Sequence, residues 1–595
     1  MRRESRSSLP LGRFSNESAR AGVVMIRTRR TCMGASAIKN IVSERVVFPN
    51  VDGKKIAALV DARSGLGDAP VIVLAPKYGE TKKNGLQLAY VLAANGFRVI
   101  RFDFTCHFGE SDGEMLDFTL SEATDNVLAT LDYVERTFGR DHVTLMASSL
   151  SSLAAVRAAS RDRRVAHLVS IVGVVDLTYT LLKVYQEDLV GGFIAGRRYG
   201  VLDILGHEVN MDRFFAATIR DRYHRLEDVV RDVAQIVAPI SWFPAAEDAW
   251  VRLEDIETVA AANAQMKLYP IAGAMHEVRE NQDAADRSLR AIVRVCRTRY
   301  FSDDLAVDDF SMPDLRMLMR QNRGERELLR RARPRVGTED DFWSQYLGKY
   351  RIMEKMGDFQ QYLGLVGELL GEISGEDVLL DAGCGNGLFG VWVMRELIQR
   401  RPTPSEQAPL YFGIDLTQQG LRDAVDKHMG VRRLLAGGPA PRATGPNLLY
   451  ARANLEAFGE TSDPSEKVLQ FADECFSKIV CSLLISYLQH PDRLLRQFYR
   501  LLQPAGRIVV SSMKPYCDLS AIYRDFVEQK ADRADLESAR ELLRVAGALK
   551  VKEEQGYYVF FSGEQLVSLL TQAGFDHVQC FTSLGNQANV VVGQK

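Results

Sequence analysis

A chain of 595 residues is longer than one hydrophobic core supports, because chains beyond ~250–300 residues divide into domains. Hydrophobic residues make up 46% and charged residues 26%, the balance of a globular chain and not of a disordered or fibrous one. A formal net charge of -2 gives no overall attraction to nucleic acid or anionic membrane, and no apolar run reaches the ~18–20 residues of a membrane span.

Residues 1–40 are rich in Arg and Ser and read as a disordered or mis-called N-terminal extension, with Met25 and Met33 as alternative starts. Their composition also admits a transit peptide. Their longest apolar stretch, Ala21 to Ile26, is interrupted by Gly22 and is too short for a secretory signal. The eight cysteines are scattered with no Cys-x-x-Cys pair, so the expectation is reduced thiols in a cytoplasmic protein, with no metal site and no disulfide framework.

From residue 41 strands and helices alternate. Arg45–Pro49 and Ile56–Val60 read as a hairpin around Asp52-Gly53, and Val71–Ala75 as a buried strand. Gly85–Ala94 reads as a helix closed by Asn95-Gly96, and Phe97–Phe102 as a strand. A helix at Leu120–Phe138, a strand at Val143–Ala147, a helix at Ser151–Ala159 and a strand at Leu168–Val174 complete a rhythm that implies an α/β fold, a parallel sheet with helices on both faces. Residues 176–237 break it; they read as helical, charged and aromatic, a lid inserted in the sheet. The rhythm resumes at Ile240–Phe243 and Met266–Tyr269, giving a first domain at 41–298. Residues 299–341 read as a charged linker, since Arg320–Arg335 is dense in Arg and Glu without an apolar stripe. A second α/β domain, 342–595, has a helix through Leu363–Leu370. Its expected strands are Val378–Leu380, Leu410–Ile414, Ser477–Cys481 and Arg507–Val510, with an antiparallel pair at Val578–Phe581 and Ala588–Val592.

Two segments carry chemistry. A serine on a sharp strand-to-helix turn needs small residues two positions before and after it, because the backbone doubles back. In Met146-Ala-Ser-Ser-Leu-Ser151 only Ser149 meets this, flanked by Ala147 and Ser151. A serine nucleophile needs a base, and the base an orienting acid. Asp248 and His276 follow Ser149 in that order, each on a loop just after a strand, where sites of open sheets collect. Glu247 is the alternative acid and His107 the competing histidine, although it precedes the serine. The backbone N–H groups of Leu150 and Tyr78 are the expected oxyanion donors. Lys77 beside Tyr78 is either solvated or drawn to an anionic group of the substrate.

Residues 42–295 resemble the acyl-carrier-protein thioesterase/acyltransferase family of bacterial bioluminescence. The stretches that carry it are Asn95–Asp103, Met146–Ser151, Val172–Leu177, Asp248–Val251 and Lys267–Tyr269 leading to Gly273–Glu277. The resemblance implies an α/β-hydrolase with a helical lid that releases a fatty acyl chain from a thioester of a carrier protein or coenzyme A. It maps the family's serine, aspartate and histidine onto Ser149, Asp248 and His276. Pro76-Lys77-Tyr78 and Ser148 depart from the family pattern.

The second segment is Asp381-Ala-Gly-Cys-Gly-Asn-Gly387 after a strand. Its G-x-G-x-G spacing differs from a dinucleotide fingerprint and resembles the first motif of class I S-adenosylmethionine-dependent methyltransferases, with a Rossmann-like sheet. The resemblance implies that Asp381, Gly383, Gly385 and Gly387 cradle S-adenosylmethionine, that Asp415 accepts from its ribose, and that Asn454 and Leu455 lie beside its adenine. Gln399–Pro409 reads as an insertion. Tyr487 and His490 are the nearest candidates to line a methyl-acceptor pocket. The combined reading is a bifunctional enzyme whose acyl product, or a compound made from it, is methylated. The alternatives are a degenerate hydrolase domain serving as a binding module, and a general esterase fused to a methyltransferase; a nucleic-acid partner does not fit the charge or the motifs.

Overall fold

The computed structural model describes residues 41–301, 342–344, 346–347, 350–399, 407–436, 445–458, 469–528, 533–554 and 557–595. The expected N-terminal extension, nearly all of the expected linker and most of the expected insertion at 399–409 lie outside the described residues.

The first sheet is built from β1 (Ile41–Pro49), β2 (Lys55–Arg63), β3 (Val71–Leu74), β4 (Arg98–Phe102), β5 (Val143–Ser148) and β6 (Val165–Ile171). A separate hairpin, β7 (Val201–Ile204) and β8 (His207–Asn210), precedes the sheet's last strands, β9 (Ile240–Phe243) and β10 (Met266–Leu268). The order is β1-β2-β4-β3-β5-β6-β9-β10. β2 runs antiparallel to β1 and β4, and the strands from β4 to β10 are parallel. β3 and β9 are buried along their whole length, as expected of strands covered on both faces. The helix Leu120–Phe138 starts where the Thr119 side chain accepts from Glu122 N and stops at Gly139 in the left-handed region. Parallel strands bring the loops after β5, β9 and β10 to one end of the sheet, where the serine site lies.

The lid holds helices at Leu177–Tyr185, Leu189–Ile194, Met211–Arg220 and Leu226–Gln235. It is not wholly helical, because the β7–β8 hairpin lies between the second and third. Leu205 and Gly206 at its tip both have positive φ, +53° and +92°, as a two-residue turn between twisted strands requires. The hairpin escapes a sequence reading because its four-residue strands are largely half-exposed and carry charge.

The second sheet comprises β11 (Val378–Ala382), β12 (Leu410–Asp415), β13 (Asn447–Arg452), β14 (Phe476–Cys481), β15 (Leu502–Met513), β16 (Asp576–Ser583) and β17 (Ala588–Gln594), in the order β13-β12-β11-β14-β15-β17-β16. The first five are parallel, and β17 pairs antiparallel with β15 and β16. β13 was not anticipated: it is an edge strand without a buried residue, so its apolar pattern is weak. Among the described residues no helix is long and apolar enough to cross a membrane.

Between β15 and β16 lie two further unanticipated helices, Ser520–Glu528 and Arg533–Glu554. They pack on the lid. Tyr523 Oη donates to the Val184 carbonyl at 2.8 Å, and the Trp250 and Tyr523 rings lie 6.0 Å apart. The lid hairpin meets the longer helix backbone to backbone at Gly206 and Gly547. A Cβ on Gly206 would lie 2.7 Å from the Gly547 carbonyl carbon, and one on Gly547 would lie 2.8 Å from Gly206 N. Alanine is the better helix former by about 1 kcal/mol, yet Gly547→Ala is expected to lower the apparent Tm, because overpacking against backbone costs about 1–3 kcal/mol. Gly430→Ala, in the helix Gln418–Ala436 with nothing within 4 Å of the added carbon, is expected to raise it. Thermal unfolding of both variants checks this pair of opposite signs.

Candidate active sites

Ser149 follows β5 directly and precedes the helix Ser151–Arg161. Its φ is +54°, a conformation that L-residues rarely adopt and that costs of order 1–3 kcal/mol. The turn is braced on both sides: Ser149 N donates to the Ile171 carbonyl at 3.0 Å, and Ser151 Oγ donates to the Ser148 carbonyl at 2.8 Å. Ala147 and Ser151 are buried at the positions where only small residues fit.

β9 and β10 are parallel neighbours, and a bridge between Ala245 and Ile271 carries the pairing past their ends. The loops bearing Asp248 and His276 are thereby held side by side. Ser149 Oγ lies 2.7 Å from His276 Nε2, and His276 Nδ1 lies 2.8 Å from Asp248 Oδ2. Asp248 Oδ1 accepts from Trp250 N at 2.8 Å and Val251 N at 3.2 Å, which fixes the carboxylate's orientation. Ser149 and His276 are 7% and 8% exposed, so the contact is largely shielded from water yet reachable. Glu247 is exposed and its N–H donates to Ala274, so it does not take the acid's place. His107 is elsewhere: its Nε2 accepts from Gly79 N at 3.2 Å, and burial, with His207 nearby, lowers its pKa to about 3. It braces the Lys77–Gly79 loop as a neutral ring. Tyr78 on that loop and Leu150 after the serine line one cavity with Ser149 and His276.

Lys77 is not solvated. Its Nζ lies 2.9 Å from Glu277 Oε2, and Lys550 Nζ of the helix Arg533–Glu554 lies 3.0 Å from the same oxygen. Arg279 also binds Glu277, with Nε to Oε1 at 2.7 Å. Burial alone would raise the Glu277 pKa, but Arg279, Lys550 and Lys77 hold it well below the ordinary carboxylate range. Asp518 Oδ2 accepts from Glu277 N at 3.1 Å. Sequence reasoning missed Glu277, Asp518 and Lys550 because the only signal was adjacency of Glu277 to His276.

In the second half, Asp381 lies near the end of β11, and Gly383, Gly385 and Gly387 lie on the turn that leaves it. The three glycines have φ of +79°, +52° and +83°, which explains their alternation. Gly383 N and Cys384 N donate to the Ile414 carbonyl, and Gly385 N donates to Asp415 Oδ2 at 2.8 Å. Asp415 Oδ1 accepts from Thr417 N and Oγ1 at 2.8 and 2.7 Å. Ala453 N donates to the Asp415 carbonyl at 3.0 Å, which brings Asn454 and Leu455 beside the same strand end. Asp381 is buried and accepts from Tyr411 Oη at 2.5 Å; burial raises its carboxyl to about 7, Tyr411 opposing and Asp415 adding to the shift. Asn386 Nδ2, buried in this loop, has no hydrogen-bond partner among the described residues. His490 caps the helix Pro491–Leu501 and does not line the cavity, whereas Tyr487 does.

That cavity, about 300 Å³, is common to both halves. Lid residues such as Leu181, Val184 and Phe214 form one wall, and Ile522, Leu543 and Leu549 of the two inserted helices form another.

Residues 68–297 match the acyl transferase family, and residues 354–580 match a methyltransferase domain family. An acyl transferase of Aliivibrio fischeri is 30% identical over 212 residues, covering 35% of this chain and 68% of that protein. One from Vibrio campbellii is 28% identical over 260 residues, covering 43% and 84%. Among solved structures, Est1E from Butyrivibrio proteoclasticus with ferulic acid bound is 19% identical, with a TM-score of 0.36 over 42% of this chain and 97% of that one. The chain belongs to the acyl transferase family and is an α/β enzyme that carries a methyltransferase domain behind its acyl transferase domain.

Proposed function

We propose that the chain is a bifunctional enzyme: a serine acyl-thioester hydrolase or acyltransferase at 41–298, and an S-adenosylmethionine-dependent methyltransferase at 342–595, working in one lipid or secondary-metabolite pathway. The observation that carries the first half is the contact series from Ser149 Oγ through His276 to Asp248 at 2.7 and 2.8 Å. Asp248 keeps the proton of His276 on Nδ1, so Nε2 is free to take the Ser149 proton as Oγ attacks a thioester carbonyl. The N–H groups of Leu150 and Tyr78 would receive the carbonyl oxygen as it gains charge. His276 then gives the proton to the departing thiolate, and an acyl ester remains on Ser149. The thiol donor we propose is an acyl carrier protein or coenzyme A. The reading places the enzyme in the cytoplasm, in keeping with free thiols at all seven described cysteines.

The second half fits S-adenosylmethionine by its donor set: a loop of three positive-φ glycines, the partnerless amide of Asn386, Asp415 at the next strand end and Asn454 beside it. When bound, that cofactor supplies an electrophilic methyl group. Gly383, Gly385 and Gly387 let the backbone approach it closely, and Asp381 lies beneath the loop as a counter-charge when ionised.

Ser149→Ala is expected to abolish the acyl adduct seen by intact-mass spectrometry after exposure to acyl-coenzyme A. Asp248→Asn is expected to slow thioester turnover about 10⁴-fold, through loss of the correct histidine tautomer. Wild-type protein that forms no adduct with any acyl thioester would overturn this half. Because a carboxylate gains its charge above its pKa, S-adenosylmethionine should bind several-fold more tightly as pH rises from 6 to 7.5 across the Asp381 value of about 7. Calorimetry at each pH measures this, and Asp381→Asn should flatten the dependence.

A further inference from the structure

The cavity that opens at Ser149 and His276 stops one layer of residues short of the glycine loop. Two pairs of adjacent residues separate the two. Tyr346 lines the cavity, while its neighbour Leu347 packs over the loop, 3.1 Å from where a Cβ on Gly385 would lie and 2.8 Å from one on Gly420. Leu483 lines the cavity, while Leu484 lies 2.8 Å from the Cβ position of Gly383. Leu483 has φ +52°, so the chain after β14 is bent to turn these neighbours to opposite sides. Tyr487 closes the same end, its ring 4.6 Å from that of Trp343. Ligand pockets usually span roughly 300–1,000 Å³, and this one, at about 300 Å³, is of a size to hold one small acyl molecule.

Resting on the reading above, we propose that both reactions act on a single molecule in this shared chamber, and that the methyl acceptor is the carboxylate released at Ser149. The product is an acyl methyl ester. Ser149 Oγ forms its bond to the acyl carbon as the thioester C–S bond breaks, and the serine proton reaches the thiolate through His276. Water, losing a proton to His276, then cleaves the ester; that proton returns to Ser149, and the released acid ionises to solvent. A carboxylate oxygen next bonds to the methyl carbon of the sulfonium cofactor as the methyl C–S bond breaks, leaving a neutral thioether. No proton moves in that step, so no base is required. A carboxylate is also the one nucleophile that every acyl thioester yields on hydrolysis, which orders the two reactions.

Leu543 tests the shared wall. It belongs to the second half, is only partly buried and lines the chamber. Leu543→Trp is expected to slow formation of the Ser149 adduct from decanoyl-coenzyme A about tenfold, read by intact mass without S-adenosylmethionine. An unchanged rate in a folded variant would overturn the shared chamber. The second test needs no variant. Wild-type enzyme with methyl-labelled S-adenosylmethionine and either decanoyl-coenzyme A or decanoic acid should put label into methyl decanoate, removable by saponification. No labelled ester, while the Ser149 adduct forms and calorimetry detects S-adenosylmethionine binding, would overturn the inference and leave the bifunctional reading standing. Label that survives saponification in the acyl chain would overturn the carboxylate as acceptor. Absence of both the adduct and cofactor binding would overturn the bifunctional reading itself.

Discussion

Glu277 is the buried charge at which the two halves meet, beside the Tyr523–Val184 and Gly206–Gly547 contacts. It is buried, it directly follows His276, and its carboxylate is bound by Lys77 of the Tyr78 loop, Arg279 of its own loop and Lys550 of the second half. A buried carboxylate is expensive to desolvate, so such a cluster adds little net stability by itself. One carboxylate is shared by cations from three segments, so the arrangement holds the histidine loop, the Tyr78 loop and the helix Arg533–Glu554 in one relation. Because three cations overcome the effect of burial, the carboxylate stays ionised across neutral pH. Its contribution to docking is present above the ordinary glutamate pKa of about 4.3 and fades only as pH falls well below it.

The serine and glycine sites meet the same geometric demand by different means. Each lies where a strand ends and the chain must turn sharply to expose atoms at the end of a sheet. At Ser149 a non-glycine residue is held at φ +54° by hydrogen bonds to β6 and by buried small neighbours. At Gly383, Gly385 and Gly387 the backbone has positive φ, and a Cβ on Gly383 or Gly387 would lie 2.8 Å from Leu484 or Ala424, so side chains are dispensed with. Strain at the serine is maintained by its surroundings, which is the usual condition for strain at a functional site.

The two inserted helices change what kind of enclosure the serine site has. In the first half alone, the lid's apolar face would meet water along Leu181 and Val184. Instead Tyr523, Ile522 and Leu543 cover it, and the cavity becomes a chamber with walls from both sheets. An apolar acyl chain gains about 0.8 kcal/mol per buried methylene, so such walls suit a hydrocarbon occupant.

Much of this was legible in the sequence because it is local. Alternating strands and helices follow from hydrophobic period, Ser149 from the small residues at 147 and 151, and the glycine loop from its spacing after an apolar strand. Asp248 and His276 could be named from chain order, each just after a strand. What stayed hidden depended on partners distant in sequence. Lys77 looked unexplained because its partner is 200 residues away; the lid hairpin looked helical because its four-residue strands are largely half-exposed and charged; and β13 lacked an apolar signature because it is an edge. The sequence by itself determined two α/β units and the chemical groups each brings, since periodicity and turn chemistry act over a few residues. Only the tertiary structure decided that Ser149 and His276 open on an apolar chamber walled by both units, because burial against a remote helix and pairing of a remote charge are properties of the packed chain and leave no mark on the residues beside them.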